Sequence, residues 1–253
     1  MALRNFSLEK FDIIIQAGQS NSNGRGEGSV DNPYSPSEDV WYLTPQFTIE
    51  MARETVVKNK IWSHAALSFV RKYMKAGMLE EGRKILILRC AVDGTSFSEK
   101  NWTMDGNLYL RMMDMIQTAL ELNPENRLVA MLWHQGENDV YYQMPPDEYY
   151  KNLSGLIQSV RDTFGVPALP FITGDFVKQW KESYEISPDT ILGTIQKVCA
   201  DLDKAVFVNS DGLLSNDAEV TAGNGNGDTI HFCRKAMYEY GERYFAAFCD
   251  LIN

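Results

Sequence analysis

The chain is poor in the residues that build metal and redox sites. Histidine occurs only at His64, His134 and His231, and cysteine only at Cys90, Cys199, Cys233 and Cys249. No two cysteines form a C-x-x-C pair and no H-E-x-x-H is present, so neither a metal site nor a thioredoxin-like redox pair is expected. No stretch reaches the about 18 apolar residues that a membrane-crossing helix needs. Basic residues are also scarce: 24 Lys and Arg against 34 Asp and Glu leave a net charge of −10. That sign argues against nucleic acid and against an anionic membrane as partners. The N-terminus has no separate charged and apolar regions, so a signal peptide is not expected. A cytoplasmic location is the default expectation, and secretion is the alternative if a leader has been removed. The N-x-[ST] triplets at Asn5, Asn101 and Asn152 carry no weight without a secretory context.

What is present is ordinary globular material, 44% hydrophobic and 23% charged over 253 residues. This length suits one large α/β domain, and no repeat or composition shift divides it, so residues 1–253 are expected to form a single domain. Five apolar runs read as strands: residues 11–17, 84–91, 127–133, 170–173 and 205–208. Amphipathic stripes lie between them. The first runs through Trp62, Ala66, Phe69, Val70 and Tyr73, with Gly77 as its stop. The second runs from Leu108 to Leu120, the third from Leu153 to Phe164 behind an Asp147 cap, and the fourth from Ile191 to Leu202 behind Ser187-Pro188. A last helix carries Met237, Tyr240, Tyr244, Phe245 and Phe248. Alternating strands and helices predict a parallel sheet of five strands with helices on both faces. A polar stretch at 24–58 interrupts the pattern. It holds a candidate hairpin, residues 40–43 and 46–49 around Thr44-Pro45, and is either a wall of the site or a solvated loop.

Each strand run breaks abruptly into small polar residues. Ala17-Gly18-Gln19-Ser20-Asn21 follows the first, Asp93-Gly94-Thr95-Ser96 the second, and His134-Gln135-Gly136-Glu137-Asn138-Asp139 the third. Asp228-Thr229-Ile230-His231-Phe232 follows the fifth. In a parallel sheet these loops emerge at one edge, where ligands of open α/β sheets bind. A serine hydroxyl there needs an imidazole to take its proton, and the imidazole needs a carboxylate to orient it. Ser20 is the candidate nucleophile, His231 the base and Asp228 its partner. Asp-x-x-His is equally the pattern of a polar turn capping the last helix. His134 is the competing base, read as structural, as is His64. Cys233 is a weak rival nucleophile, while Cys90, Cys199 and Cys249 read as buried thiols. Charge developing on an attacked carbonyl oxygen needs fixed donors. The N–H groups of Ser20 and Gly94 and the side-chain amide of Gln135 are the candidates, with Asn138 the rival of Gln135. A phosphate cradle is disfavoured, because Gly24-Arg25-Gly26-Glu27-Gly28 fits neither G-x-x-x-x-G-K-[ST] nor G-x-G-x-x-G.

Taken together, Gly18-Gln19-Ser20-Asn21, Asp93-Gly94-Thr95-Ser96, Trp133-His134-Gln135-Gly136-Glu137 and Asp228-Thr229-Ile230-His231-Phe232 resemble the sequence blocks of the SGNH hydrolases. They look most like the branch of carbohydrate esterase family 6 and the sialate O-acetylesterases, from about residue 11 to 245. The resemblance implies a flavodoxin-like, three-layer α/β/α sandwich with a central five-stranded parallel sheet. It implies cofactor-free removal of O-acetyl groups from an acetylated sugar or polysaccharide, of the acetylxylan or sialic-acid type, through an acyl-serine. Ser20, His231 and Asp228 match the family triad and Gly94 its oxyanion glycine. In this branch the glutamine of H-Q-G-E takes the third oxyanion position, which favours Gln135 over Asn138. Glu137 becomes a supporting carboxylate bonded to Gln19. Ser22 departs from the family's usual methionine, and the 24–58 stretch matches nothing in the family that would indicate the substrate. The other classes to weigh are a carbohydrate-binding protein without catalysis and an esterase for short non-sugar acyl groups.

Overall fold

A computed structural model describes residues 5–253. In chain order its elements begin with β1 (Lys10–Gly18), α1 (Ser20–Asn23), β2 (Val40–Leu43), β3 (Ile49–Met51), β4 (Thr55–Val57), β5 (Lys60–Trp62) and α2 (Ala65–Lys75). They continue with β6 (Arg83–Arg89), α3 (Asn107–Glu121), β7 (Arg127–His134), α4 (Glu137–Tyr141), α5 (Pro146–Thr163) and β8 (Phe171–Gly174). The last are α6 (Lys178–Ser183), α7 (Asp189–Asp201), β9 (Ala205–Val208), α8 (Val220–Gly223) and α9 (Arg234–Ile252).

All five predicted strands form, as β1, β6, β7, β8 and β9, and all pair in parallel. Strand β1 lies between β6 and β7 and is buried from Phe11 to Gly18, as its unbroken apolar run requires. The chain leaves β1 toward β6 and then returns to the other side for β7, so the strand order reverses at β1. Such a reversal opens a crevice at the carboxyl ends of the strands. Helices α2 and α9 pack on each other, as do α5 and α7, while α3 packs on β1 and β6.

The sheet has seven strands, not five, in the order β3-β2-β6-β1-β7-β8-β9. The two additional strands come from the polar stretch. Val40-Trp41-Tyr42-Leu43 is buried as β2 and pairs in parallel with β6, while β3 folds back antiparallel as the edge. The hairpin is therefore real, but its second strand starts three residues later than the pattern predicted. The shift follows from the turn: Thr44 N–H donates to the Thr48 carbonyl at 2.9 Å, and Phe47 holds a left-handed φ of 59°. Some helix ends also differ. Trp62 belongs to β5, and α2 starts only after His64. Helices α5 and α7 begin behind Pro145 and Pro188 rather than behind Asp147 and Ser187. Cys249 is only half-buried.

The rest of the polar stretch is strapped to the body. Arg234, at the start of α9 and 6% exposed, donates to Glu54 from Nε at 2.8 Å and from Nη2 at 2.5 Å. It also donates from Nη1 to the Gly28 carbonyl at 3.2 Å, and its backbone N–H donates to the Glu27 carbonyl at 2.7 Å.

At the opposite edge of the sheet, a buried carboxylate ties three strands and a helix together. Asp12 of β1 is fully buried and accepts from Arg83 Nε of β6 and Arg127 Nε of β7, each at 2.7 Å, and from the Tyr73 hydroxyl of α2 at 2.7 Å. Removing this carboxylate leaves two guanidinium groups without their shared partner. Asp12→Ala should therefore lower the unfolding free energy by about 3–5 kcal/mol in urea denaturation. A loss below about 1 kcal/mol, the scale of a surface ion pair, would show that the cluster is not a structural anchor.

Candidate active site

Strand β1 ends at Gly18, which has φ +122°; a Cβ there would lie 2.1 Å from the His134 carbonyl oxygen. Only glycine allows β1 and β7 to close this tightly. The next residue, Gln19, donates its N–H to the same carbonyl at 2.8 Å, and Ser20 then opens the single turn of α1. The Ser20 N–H is thus one of the unpaired donors at a helix start.

The Asp228-to-Phe232 loop comes back onto this turn. Ser20 Oγ lies 2.9 Å from His231 Nε2, and His231 Nδ1 lies 2.9 and 3.1 Å from the two oxygens of Asp228. His231 and Asp228 keep 22% and 29% of their side-chain surface exposed, so the chain of groups opens to solvent. Burial pushes the Asp228 carboxyl up, but the His231 imidazole and the Asn216 amide outweigh this and hold it below its usual 3.8. The carboxylate then fixes the tautomer: Nδ1–H faces Asp228, and Nε2 presents its lone pair to Ser20. His134 stands apart from this chain. It is buried, with Nδ1 3.4 Å from the Tyr244 hydroxyl and Nε2 3.4 Å from Glu137. His64 is likewise buried, against the Tyr42 hydroxyl. Cys233 caps α9 through its sulfur and is 1% exposed, and burial pushes its thiol up, which disfavours the nucleophilic thiolate.

Asn216 is a residue that sequence reasoning missed. Fully buried, it donates from Nδ2 to Asp228 Oδ2 and to the Arg25 carbonyl, both at 2.8 Å, and its Oδ1 accepts from Glu27 N–H at 2.9 Å. Its own N–H donates to the His231 carbonyl at 2.9 Å. It lies in a loop with no periodic pattern, and nothing in its neighbours marks it.

Around Ser20 the amides sort differently from expectation. Glu137 is bonded not to Gln19 but to Asn21, whose Nδ2 donates to its Oε1 at 2.7 Å. Asn21 also donates to the Ile230 carbonyl at 3.0 Å and accepts from Phe232 N–H at 3.1 Å, clasping both neighbours of His231. A short side chain on the turn after Ser20 reaches the β7 loop directly. Gln19 instead points its Oε1 toward the N–H groups of Gly136 and Asn138, each 3.4 Å away. Gln135 is 1% exposed, and its Nε2 is turned inward, 2.6 Å from Asp139 Oδ2 and 3.3 Å from the Thr95 carbonyl. Asn138 is half-buried and donates from Nδ2 to the Gly94 carbonyl at 2.7 Å. Gly94 is exposed, with φ +67° and open space where a Cβ would stand. Asp139, also unassigned from sequence, accepts from Ser98 N–H at 2.8 Å and Phe97 N–H at 3.1 Å, and so shapes the Gly94 loop.

The start of the 24–58 stretch is tied to the segment that precedes Gly94 and to Trp62. Arg25 pairs with Asp93 and lies over the Trp62 ring at 4.3 Å. Glu27 accepts from Trp62 Nε1 at 3.1 Å and pairs with Lys60. Among the described residues no cluster of His, Cys, Asp or Glu is arranged to hold a metal ion, and no helix is long and apolar enough to cross a membrane.

A mostly parallel α/β sheet thus carries a hydroxyl, an imidazole and a carboxylate in hydrogen-bonded sequence at its carboxyl edge. The family model described as "Carbohydrate esterase, sialic acid-specific acetylesterase" matches residues 10–250, and the chain belongs to that family. It is accordingly a carbohydrate acetylesterase by class, a carboxylic ester hydrolase. A probable carbohydrate esterase of Arabidopsis thaliana is 26% identical over 83% of this chain and 86% of its own length. A probable 9-O-acetyl-N-acetylneuraminic acid deacetylase of Escherichia coli K12 is 25% identical over 52% of this chain and 47% of its own. Among solved structures, the Arabidopsis thaliana protein superposes with a TM-score of 0.74 at 22% identity, over 94% of this chain and 98% of that one. NanS superposes with a TM-score of 0.76 at 19% identity, over 96% and 97%. These two likenesses show a shared fold.

The buried carboxylates make a measurable prediction about stability. Burial pushes the Glu137 carboxyl up, but the His134 imidazole and the Asn21 amide pull it below its usual 4.5. A group depressed in the folded state stabilises fully above its unfolded value, and that contribution disappears as pH falls through the folded value. Asp139 is raised, chiefly by burial, and acts in the opposite sense. Comparing wild type with Glu137→Gln isolates the first effect. The wild type's advantage in melting temperature should shrink as pH falls below about 4.5. An advantage unchanged down to pH 3 would contradict the assignment of Glu137 as an ionised, partnered group.

Proposed function

We propose that this protein removes O-acetyl groups from carbohydrate by nucleophilic catalysis at Ser20. The observation that carries the reading is the continuous Ser20–His231–Asp228 chain at the carboxyl edge, in a member of a carbohydrate acetylesterase family. In this mechanism His231 Nε2 takes the Ser20 proton as Oγ attacks the acetyl carbonyl. The imidazolium that forms is stabilised by Asp228 and returns the proton to the departing sugar oxygen. Water then attacks the acetyl-serine as His231 takes its proton; the bond between Ser20 Oγ and the acyl carbon breaks, His231 returns the proton to Oγ, and acetate leaves.

The oxyanion would sit between the N–H groups of Ser20 and Gly94. For the third donor the geometry favours Asn138 over Gln135, against the family resemblance. The Gln135 amide is sealed beneath the surface and occupied by Asp139 and Thr95, whereas Asn138 stands half-exposed against Gly94. Asn216 acts as a positioning residue: it turns Asp228 toward His231 and anchors the Arg25–Glu27 segment in the same step. The names of the relatives, a carbohydrate esterase and a sialic acid deacetylase, support acetylated sugar as the substrate class.

Ser20→Ala should lower acetate release from acetylated saccharides by at least about 10³-fold, and turnover within tenfold of wild type would sink the proposal. Asn138→Ala should lower kcat by about 10²-fold; a kcat left unchanged by Asn138→Ala but cut by Gln135→Ala would return the role to Gln135. His231→Ala should lower acetate release about as far as Ser20→Ala does, and turnover within tenfold of wild type would remove His231 from the mechanism.

A further inference from the structure

Beside the Ser20 site lies a corner of aromatic rings that the hydrolysis step does not use. Helix α4 starts at Glu137 and Asn138 and ends at Tyr141, with Tyr142 as its C-cap. Residues three and four apart share a helix face, so Asn138, Tyr141 and Tyr142 point the same way. The Tyr142 N–H donates to the Asn138 carbonyl at 2.9 Å. Tyr141 and Tyr142 are 60% and 46% exposed, large rings left in water at the rim of a polar site. Their centroids lie 5.0 Å apart with the planes at 79°, one ring a floor and the other a wall. The Tyr142 hydroxyl donates to Glu99 Oε1 at 3.1 Å, and Glu99 is held by Ser96, from the loop that carries Gly94. The corner is thus joined to the Gly94 loop through Glu99 and to the Asn138–Gly94 contact through α4.

We propose that Tyr141, Tyr142 and Glu99 form a subsite for the saccharide unit next to the acetylated one, so that the substrate is a neutral oligosaccharide rather than a single sugar. This rests on the acetylesterase reading above. A pyranose ring has C–H faces that lie against aromatic rings and a rim of hydroxyls that donate to carboxylate oxygens. Two exposed aromatic rings set at an angle offer an apolar face of the size of one sugar ring. The Glu99 carboxylate supplies the acceptor and repels a second carboxylate, which selects neutral units over acidic ones. The five-residue length of α4 keeps the corner within one sugar unit of Asn138.

The test compares acetate release from partially O-acetylated xylotetraose and from O-acetylated methyl xyloside. The wild type should prefer the tetraose in kcat/KM. Tyr141→Ala and Tyr142→Ala should each reduce that preference by about tenfold, through KM on the tetraose. Tyr141→Phe, which keeps the ring, should retain it. Leu110→Ala, exposed on α3, serves as a remote control and should leave both substrates unaffected. An equal fall on both substrates in the Tyr→Ala variants would reduce α4 to a support for Asn138 and overturn the subsite. A wild type with no preference for the tetraose would overturn the subsite and leave the acetylesterase reading standing. Release from neither saccharide would overturn both. A shift from dimer to monomer in Tyr141→Ala, with the preference unchanged, would make the corner a self-association surface and also overturn the subsite.

Discussion

The close contact between the end of β1 and the backbone of β7 is the constraint on which the site depends. Gly18 brings its Cα against the His134 carbonyl, where any side chain would collide. Gln19 is then bonded to that carbonyl, and Ser20 begins a turn with no freedom of placement. Because β1 is the central strand at which the order reverses, the loops from β6 and β7 rise on its two sides. A hydroxyl fixed at this point needs only one returning loop to meet an imidazole. That loop is clasped by Asn21, which holds the residues on either side of His231. Ser20 and His231 are therefore registered by the residue next to Ser20.

Three buried or half-buried carboxylates surround Ser20, and each is handled differently. Asp228 is balanced by His231 and Asn216, Glu137 by His134 and Asn21, and Asp139 by Gln135, Ser98 and two backbone N–H groups. A carboxylate out of water is costly unless donors are aimed at it. The site meets this with asparagine and glutamine amides drawn from separate loops. The same amides tie the loops together, so the electrostatics and the geometry of the edge are one network. The start of the 24–58 stretch joins this network through Asn216 and through Arg234, which hold it against the body.

Much of the architecture was legible in the chain. Apolar runs that break into Gly, Ser, Asp and Asn located the core strands and the loops that follow them, because burial on both faces demands such runs. The motif Gly-Gln-Ser-Asn lies at the end of β1 and Asp-x-x-His in the long segment between β9 and α9, and the structure brings Ser20, Asp228 and His231 together. The hairpin at 40–43 was legible as a candidate, but its place as an extension of the main sheet was not. Val40–Leu43 is short, sits in a polar stretch, and is buried only because β6 offers a free edge beside it. Asn216 gave no signal, since a single asparagine in a loop reads as turn chemistry.

Local composition by itself determined where the strands run, where they stop, and which reactive side chains stand at their ends. Those features depend on neighbours within a few residues, where apolar periodicity and glycine act. Only the tertiary structure decided which amide serves which carboxylate: Asn21 rather than Gln19 for Glu137, Gln135 for Asp139, and Asn216 for Asp228. It likewise turned Gln135 inward and left Asn138 beside Gly94. The physical reason is reach. A hydrogen bond forms or fails over a few tenths of an ångström, and the sheet sets those distances between residues as far apart as Asn21 and Glu137.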